Sequence, residues 1–239
     1  MDTVTTKQKK ITSEVLTVLF VDLVEYTKTT ARLTREHFDQ LLNVFEEIPL
    51  PLIDKYGGTV IKKIGDAYMV TFRSPTDAVL CGIALQQAFR RYNVKNKLQH
   101  PLRIRVAIHT GEVLHRGGDV YGDAVNTAAR IEEFAQPGQV VFSDAVFSAM
   151  NKNEVPCVHL GLKEFKGVAY PLRLWRVRTR ADEIARRKEA FKRFIQQMVV
   201  LGFIIVILVV LLRVLWLNWS ASHVEQAALD NLSALAQTI

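Results

Sequence analysis

The sequence predicts an α+β fold, a sheet flanked by helices, followed by one transmembrane helix. Residues 15–23 (VLTVLFVDL) form a β-branched, nearly continuous apolar run ending on an acid, the pattern of a central strand buried on both faces. Strand-like and helix-periodic segments then follow in the order helix, hairpin, helix, strand, helix and short strands. Residues 198–217 (MVVLGFIIVILVVLLRVLWL) carry Arg213 as their only charge. As a helix they measure about 30 Å, enough to cross a bilayer.

The elements can be taken in order. Residues 1–13 are polar and read as a flexible leader. After the first strand, Thr34 is placed to cap a helix whose apolar positions Phe38, Leu41, Leu42, Phe45 and Ile48 recur at three and four. Pro49 and Pro51 disturb this helix and Gly57-Gly58 closes it. The stretches TVIKKI and AYMVTF, joined at Gly65-Asp66, predict a hairpin. Ser74-Pro75 opens a second helix, with Ala78, Cys81, Ala84, Leu85, Ala88 and Phe89 on its inner face. LRIRVAI (102–108) alternates as a strand and leads through a Gly-rich connection to a third helix at 124–134, stopped by Pro137-Gly138. Short strands and a small helix near 143–150 complete a domain spanning 14–178.

Charge sets the orientation. The chain carries 31 Lys+Arg against 24 Asp+Glu, a net +7. Residues 173–193 alone hold nine Lys/Arg against Asp182, Glu183 and Glu189, a net +6, so the remainder is close to neutral. A cluster abutting a hydrophobic span is what the positive-inside rule expects, and it argues against nucleic acid as a partner. The expected layout is a basic juxtamembrane helix at 179–194, a transmembrane helix at 195–219 and an extracytoplasmic helical tail at 220–239. The domain then lies in the cytoplasm, on a single-pass protein of the inner or plasma membrane with its C-terminus outside. Trp216 and Trp219 suit the interfacial belt, and Arg213 is near enough to the end to reach the headgroups. A buried core helix is the alternative, but one of this length ordinarily carries a polar stripe. In the tail, Val224, Ala228, Leu232, Leu235 and Ile239 form a helical stripe that calls for a second copy or a longer outer domain. Cys81 and Cys157 lie in apolar contexts without metal-ligand spacing and read as reduced packing residues.

Two acids stand out. Asp22 ends the first strand and Asp66 sits at the hairpin tip, so the two can meet at one edge of the sheet. An isolated Asp in a hairpin turn is ordinarily a turn-former, and an Arg four residues after an Asn on a helix, as at Asn126 and Arg130, is ordinarily a solvated face. The flanking motifs alter both readings. LFVDLVEYT at 19–27, IKKIGDAYMVTF at 61–72 and IHTGEV with DVYGDAVNTAARIE across 108–132 resemble the class III adenylyl and guanylyl cyclases. The resemblance covers roughly 15–177 and implies that family's ferredoxin-like, palm-type sheet flanked by helices.

The resemblance also assigns roles. Asp22 and Asp66, with the backbone carbonyl of Leu23, would hold two Mg²⁺ or Mn²⁺ ions, hard cations that suit oxygen ligands. Asn126 would orient the ribose and Arg130 would stabilise charge on the α-phosphate, work for which a planar guanidinium is suited. Lys62 and Asp119 occupy the purine-reading positions. A lysine donor and a carboxylate acceptor match the N1 and N6 of adenine, whereas guanylyl cyclases usually carry Glu and Cys there. Lys166 would lie near the terminal phosphates, with Lys163 close by. The implied activity is adenylate cyclisation of ATP at sites shared across a homodimer. A catalytically silent cyclase-homology module that dimerises and binds nucleotide is one alternative, and a guanylate cyclase is another. Glu25 departs from the family, where small residues are common. His109 and His115 flank the end of the strand at 102–108, but the family chemistry needs no histidine there. Gly117-Gly118-Asp119-Val120 resembles the start of the GGDEF signature, without its second acid.

Overall fold

The computed structural model describes residues 12–24, 34–98 and 101–236. The chain divides into two compact units between Arg178 and Thr179. Within the first unit, strand β1 (Thr12–Leu23) pairs antiparallel with β3 (Ala67–Phe72) on one side and β4 (Ile104–Arg116) on the other. Flanked on both sides, its last eight residues are buried. That burial accounts for the nearly continuous apolar run from Leu16 to Leu23, while Val15 before it is exposed.

Alternation along β1 distributes its side chains to two cores. Leu19, Val21 and Leu23 face a cluster with Phe45, Ile53, Leu85 and Phe89, whereas Leu16, Val18 and Phe20 face Ala124 and Ala128. The first cluster is roofed by helices α1 (Arg35–Glu47), α2 (Pro49–Lys55) and α3 (Pro75–Asn96). The second lies under α4 (Asp123–Phe134). Asp22 has the parity of Leu16, Val18 and Phe20, and Arg105 on β4 has that of Ala107, which packs against Ile131 of α4. Both charged residues therefore belong to the α4 side. A Cβ on Gly111 would come within 3.0 Å of the Ala124 Cβ, so glycine there lets α4 approach β4 closely.

The hairpin of β2 (Thr59–Ile64) and β3 turns at Gly65, which takes φ +60, and Asp66. Helix α3 is capped by Ser74, whose side chain accepts from the Asp77 N–H at 3.2 Å, with Pro75 in the first turn. Short β5 (Asp119–Tyr121) folds back on β4, while β6 (Val140–Ser143) runs parallel to β4. After α5 (Asp144–Ala149), β7 (Cys157–Lys163) and β8 (Leu172–Val177) complete the order β2-β3-β1-β4-β6-β8-β7.

One expectation is revised. The strand expected at 102–108 does not end at 108 in a Gly-rich connection but continues to Arg116, because β1 begins at Thr12 and pairs Thr12 with His115. In the second unit the described residues from Arg180 form one unbroken helix, α6 (Arg180–Ala236), which runs through the expected juxtamembrane, membrane-spanning and tail segments. Its Arg180–Ser220 portion is long and apolar enough to cross a membrane, and none of its most apolar window is buried. The leader to residue 11 and Glu25 lie outside the described residues, as does the side chain of Phe38.

Candidate active site

The sheet edge where β1 ends brings the two acids of interest together. The Leu23 N–H donates to the Asp66 carbonyl at 3.2 Å, tying the strand end to the hairpin tip through the main chain. Asp22 is 7% exposed. Its Oδ2 accepts from Arg105 Nε at 2.8 Å, with Arg105 Nη2 at 2.7 Å. Arg105 also meets Glu132 of α4, whose Oε1 lies 2.5 Å from Nε. Burial raises the Asp66 carboxyl above the ordinary range, and the neighbouring Asp22 adds to the rise. Burial likewise pushes Glu132 up to about 7; Asp22 contributes in the same direction, while Arg105 opposes it.

This edge fits a divalent cation in its charge and donor set. Two neighbouring carboxylates at one strand end call for positive charge, and a guanidinium already rests on one of them. Among the described residues no group of three or more His, Cys, Asp or Glu is set to hold a metal. An ion at Asp22 and Asp66, with the Leu23 carbonyl, therefore needs water and phosphate oxygens to complete its shell, as Mg²⁺ readily accepts.

A second cluster forms where β2 meets β5. Lys62 Nζ donates to Asp119 Oδ2 at 2.7 Å and lies 5.6 Å from the centre of the Tyr121 ring. Asp119 Oδ1 accepts from the Val120 N–H at 2.8 Å. The hydrogen bond from Lys62 holds the Asp119 carboxyl below its usual range. The adjacent Lys63 points the other way, to Glu46 at 2.6 Å, so strand alternation selects which lysine reaches Asp119.

The remaining predicted residues stand apart. On α4, Ala124, Thr127, Ala128 and Ile131 are buried, while Asn126 is exposed and Arg130 half-buried. Arg130 Nη1 donates to Glu133 at 2.8 Å. Lys166 is exposed on the β7–β8 turn, whereas Lys163 lies over the Phe134 ring at 5.4 Å. His109 is half-buried: its Nδ1 meets Ser143 Oγ at 2.8 Å, and burial lowers its pKa to about 4. Gly117 and Gly118 both take positive φ as a tight turn between β4 and β5.

Sequence reasoning missed Arg105 and Glu132. The available signal was an arginine inside a strand whose neighbours are apolar, since such a residue needs a partner when buried.

The model for the adenylate and guanylate cyclase catalytic domain matches residues 8–178. The chain belongs to that family. It is 34% identical over 167 residues to the serine/threonine-protein kinase pkn2 of Myxococcus xanthus, covering 70% of this chain and 20% of that protein. To an adenylate cyclase of Glutamicibacter nicotianae it is 33% identical over 135 residues, 56% of this chain and 32% of the relative. The match thus takes in a third or less of these relatives' own length. Among solved structures, the adenylyl cyclase CyaB from P. aeruginosa superposes with a TM-score of 0.66 at 27% identity, covering 71% of this chain and 96% of that one. The guanylyl cyclase Cya2 gives 0.62 at 29% identity, with 70% and 92% covered. The mixed sheet with flanking helices is thus the cyclase fold.

Proposed function

We propose that the chain is a membrane-tethered adenylate cyclase, converting ATP to 3′,5′-cyclic AMP and pyrophosphate at two equivalent sites shared across a homodimer. Since adenylyl and guanylyl cyclases share the fold, the choice of purine falls to the base-reading pair. The observation that carries the reading is the Lys62–Asp119 contact at 2.7 Å, which sets a cationic donor beside an anionic acceptor. Adenine presents an acceptor at N1 beside a donor at N6, so this pair satisfies its edge and leaves guanine mismatched.

In this mechanism Asp22, Asp66 and the Leu23 carbonyl hold two Mg²⁺ or Mn²⁺ ions. Those ions, when bound, neutralise phosphate charge and acidify the ribose 3′-OH. Asn126 orients the ribose so that the 3′-OH faces the α-phosphorus, and Arg130 stabilises the charge that builds on the α-phosphate as pyrophosphate departs. Lys166 serves the terminal phosphates. Exposed Asn126 and half-buried Arg130, both away from the core face of α4, support their reaching nucleotide held by the acids of a partner copy. The candidate span in α6 and its basic flank support a single-pass arrangement with the catalytic domain in the cytoplasm and the C-terminus outside.

Steady-state turnover of the purified chain with ATP and with GTP, under Mg²⁺ and Mn²⁺, tests the reading. Cyclic AMP should form with a preference over GTP of about tenfold or more, as expected where a buried polar partner is left unpaired. Cyclic GTP as the main product would make the chain a guanylate cyclase. Nucleotide binding without turnover would make it a silent module.

A further inference from the structure

Arg105 stands between two acids and hydrogen-bonds only one of them. Its Nε donates to Asp22, and its Nη2 approaches the same oxygen. Glu132 Oε1 is nearer still to Nε, at 2.5 Å, an ion-pair contact in which this buried oxygen accepts no hydrogen bond. Buried acceptors are rarely left in that state. Register explains the arrangement: Arg105 pairs across the sheet with Asp22, while Glu132 descends from α4 onto the same face. The guanidinium is bonded to the acid proposed to take a cation, and the unfilled acceptor lies beside it.

A divalent cation at Asp22 and the Arg105 guanidinium repel each other at contact distance. Arg105 must then move, and its half-buried side chain, 28% exposed, is only partly open to water. A half-buried guanidinium is better placed beside a carboxylate than without one. We propose that Glu132 is a positioning residue for cation uptake: it receives the Arg105 guanidinium when a divalent cation takes Asp22. Asp22 changes partner, Arg105 changes partner, and no charge is left bare. The proposal rests on the cyclase reading for one point, that Asp22 is a cation ligand.

The test counts bound Mn²⁺ directly, by the electron paramagnetic resonance signal of free Mn²⁺, on the full chain in non-ionic detergent without nucleotide. Glu132→Gln should raise the Mn²⁺ dissociation constant about tenfold, the scale of a charge-assisted hydrogen bond, while the melting temperature of the fold is retained. Arg105→Gln should bind Mn²⁺ at least as tightly as the parent, because the competing charge is gone. Adding Glu132→Gln to Arg105→Gln should then change nothing beyond about twofold, since Glu132 acts through Arg105. Glu132→Asp keeps the charge on a shorter stem and should fall between parent and Glu132→Gln; it carries the test should Glu132→Gln not fold.

Parental Mn²⁺ binding in Glu132→Gln would overturn the proposal. So would an undiminished loss in the Arg105→Gln background, which would mark a plain field effect of the carboxylate. Asp22→Asn separates the two levels. If parent and Asp22→Asn bind Mn²⁺ alike, the cation assignment of Asp22 fails and takes this proposal with it. If Asp22→Asn abolishes binding but Glu132 has no effect, only the role given to Glu132 fails.

Discussion

Residues two apart on an α-helix project about 200° apart. Glu132 of α4 reaches Arg105, beside Asp22, so Arg130 on the same helix must face away from the Asp22 of its own chain. The Arg130–Glu133 pair on the solvent side agrees with this. On the proposed reading, Asp22 and Arg130 serve one nucleotide across a twofold axis, which generates two equivalent sites. Asp22→Ala and Arg130→Ala should each be inactive alone and regain activity when mixed. With random exchange about half the dimers are mixed, and each carries one intact site and one doubly damaged site. Recovery should approach about a quarter of the parental cyclic AMP production. The assay is nucleotide turnover after mixing in detergent, with exchange verified by co-purification through two different tags. Verified exchange without recovery would refute the shared site and return every assigned residue to a single chain.

Lys62→Glu combined with Asp119→Cys should lower ATP turnover and raise relative GTP turnover, each mismatched contact costing about 1–3 kcal/mol in kcat/KM; an unchanged ATP preference would release both residues from base reading. His109 supplies a pH dependence. Its folded pKa of about 4 lies below the ordinary 6.5, so its burial as neutral imidazole contributes stability that is present above about pH 6.5 and lost as pH falls towards about 4. The two pKa values give a loss of about 2 kcal/mol between about pH 7 and pH 5. Urea unfolding of a chain ending at Arg178 should show it, and His109→Gln should flatten the slope; parallel slopes would exclude His109 as the cause. That shortened chain should also show specific activity rising with protein concentration, unlike the full chain in its membrane, where the partners are confined together. Dilution-independent activity in both would reduce the helix to an anchor.

Much of the sheet could be read in the sequence because its signals are local. Gly65-Asp66 between two apolar runs marks a hairpin, and Ser74-Pro75 marks a helix start, without reference to anything distant. The continuation of β4 to Arg116 is not local: Thr110 and Gly111 look like a connection until β1, starting at Thr12, supplies their partners. The Lys62–Asp119 pair joins residues 57 apart, linked in the sequence only through the family resemblance. The apolar neighbours of Arg105 hinted at a partner without naming it. Within LRIRVAI, Arg105 satisfies an alternation that a solvent-facing residue would satisfy equally well. Only the placement of α4 over that face turns it into a half-buried charge with two acids beside it. The resemblance to the cyclases identified residue types at positions; which of them touch within one chain followed from the register.

The bond from the Leu23 N–H to the Asp66 carbonyl uses no side chain. The spacing of the two acids is therefore written into the main chain and survives the replacement of either one. A copy that has lost Asp22 or Asp66 still keeps the geometry of the place where it stood. In such a lineage chemistry can be switched off by one codon and restored by one codon, with no need to rebuild the scaffold in between.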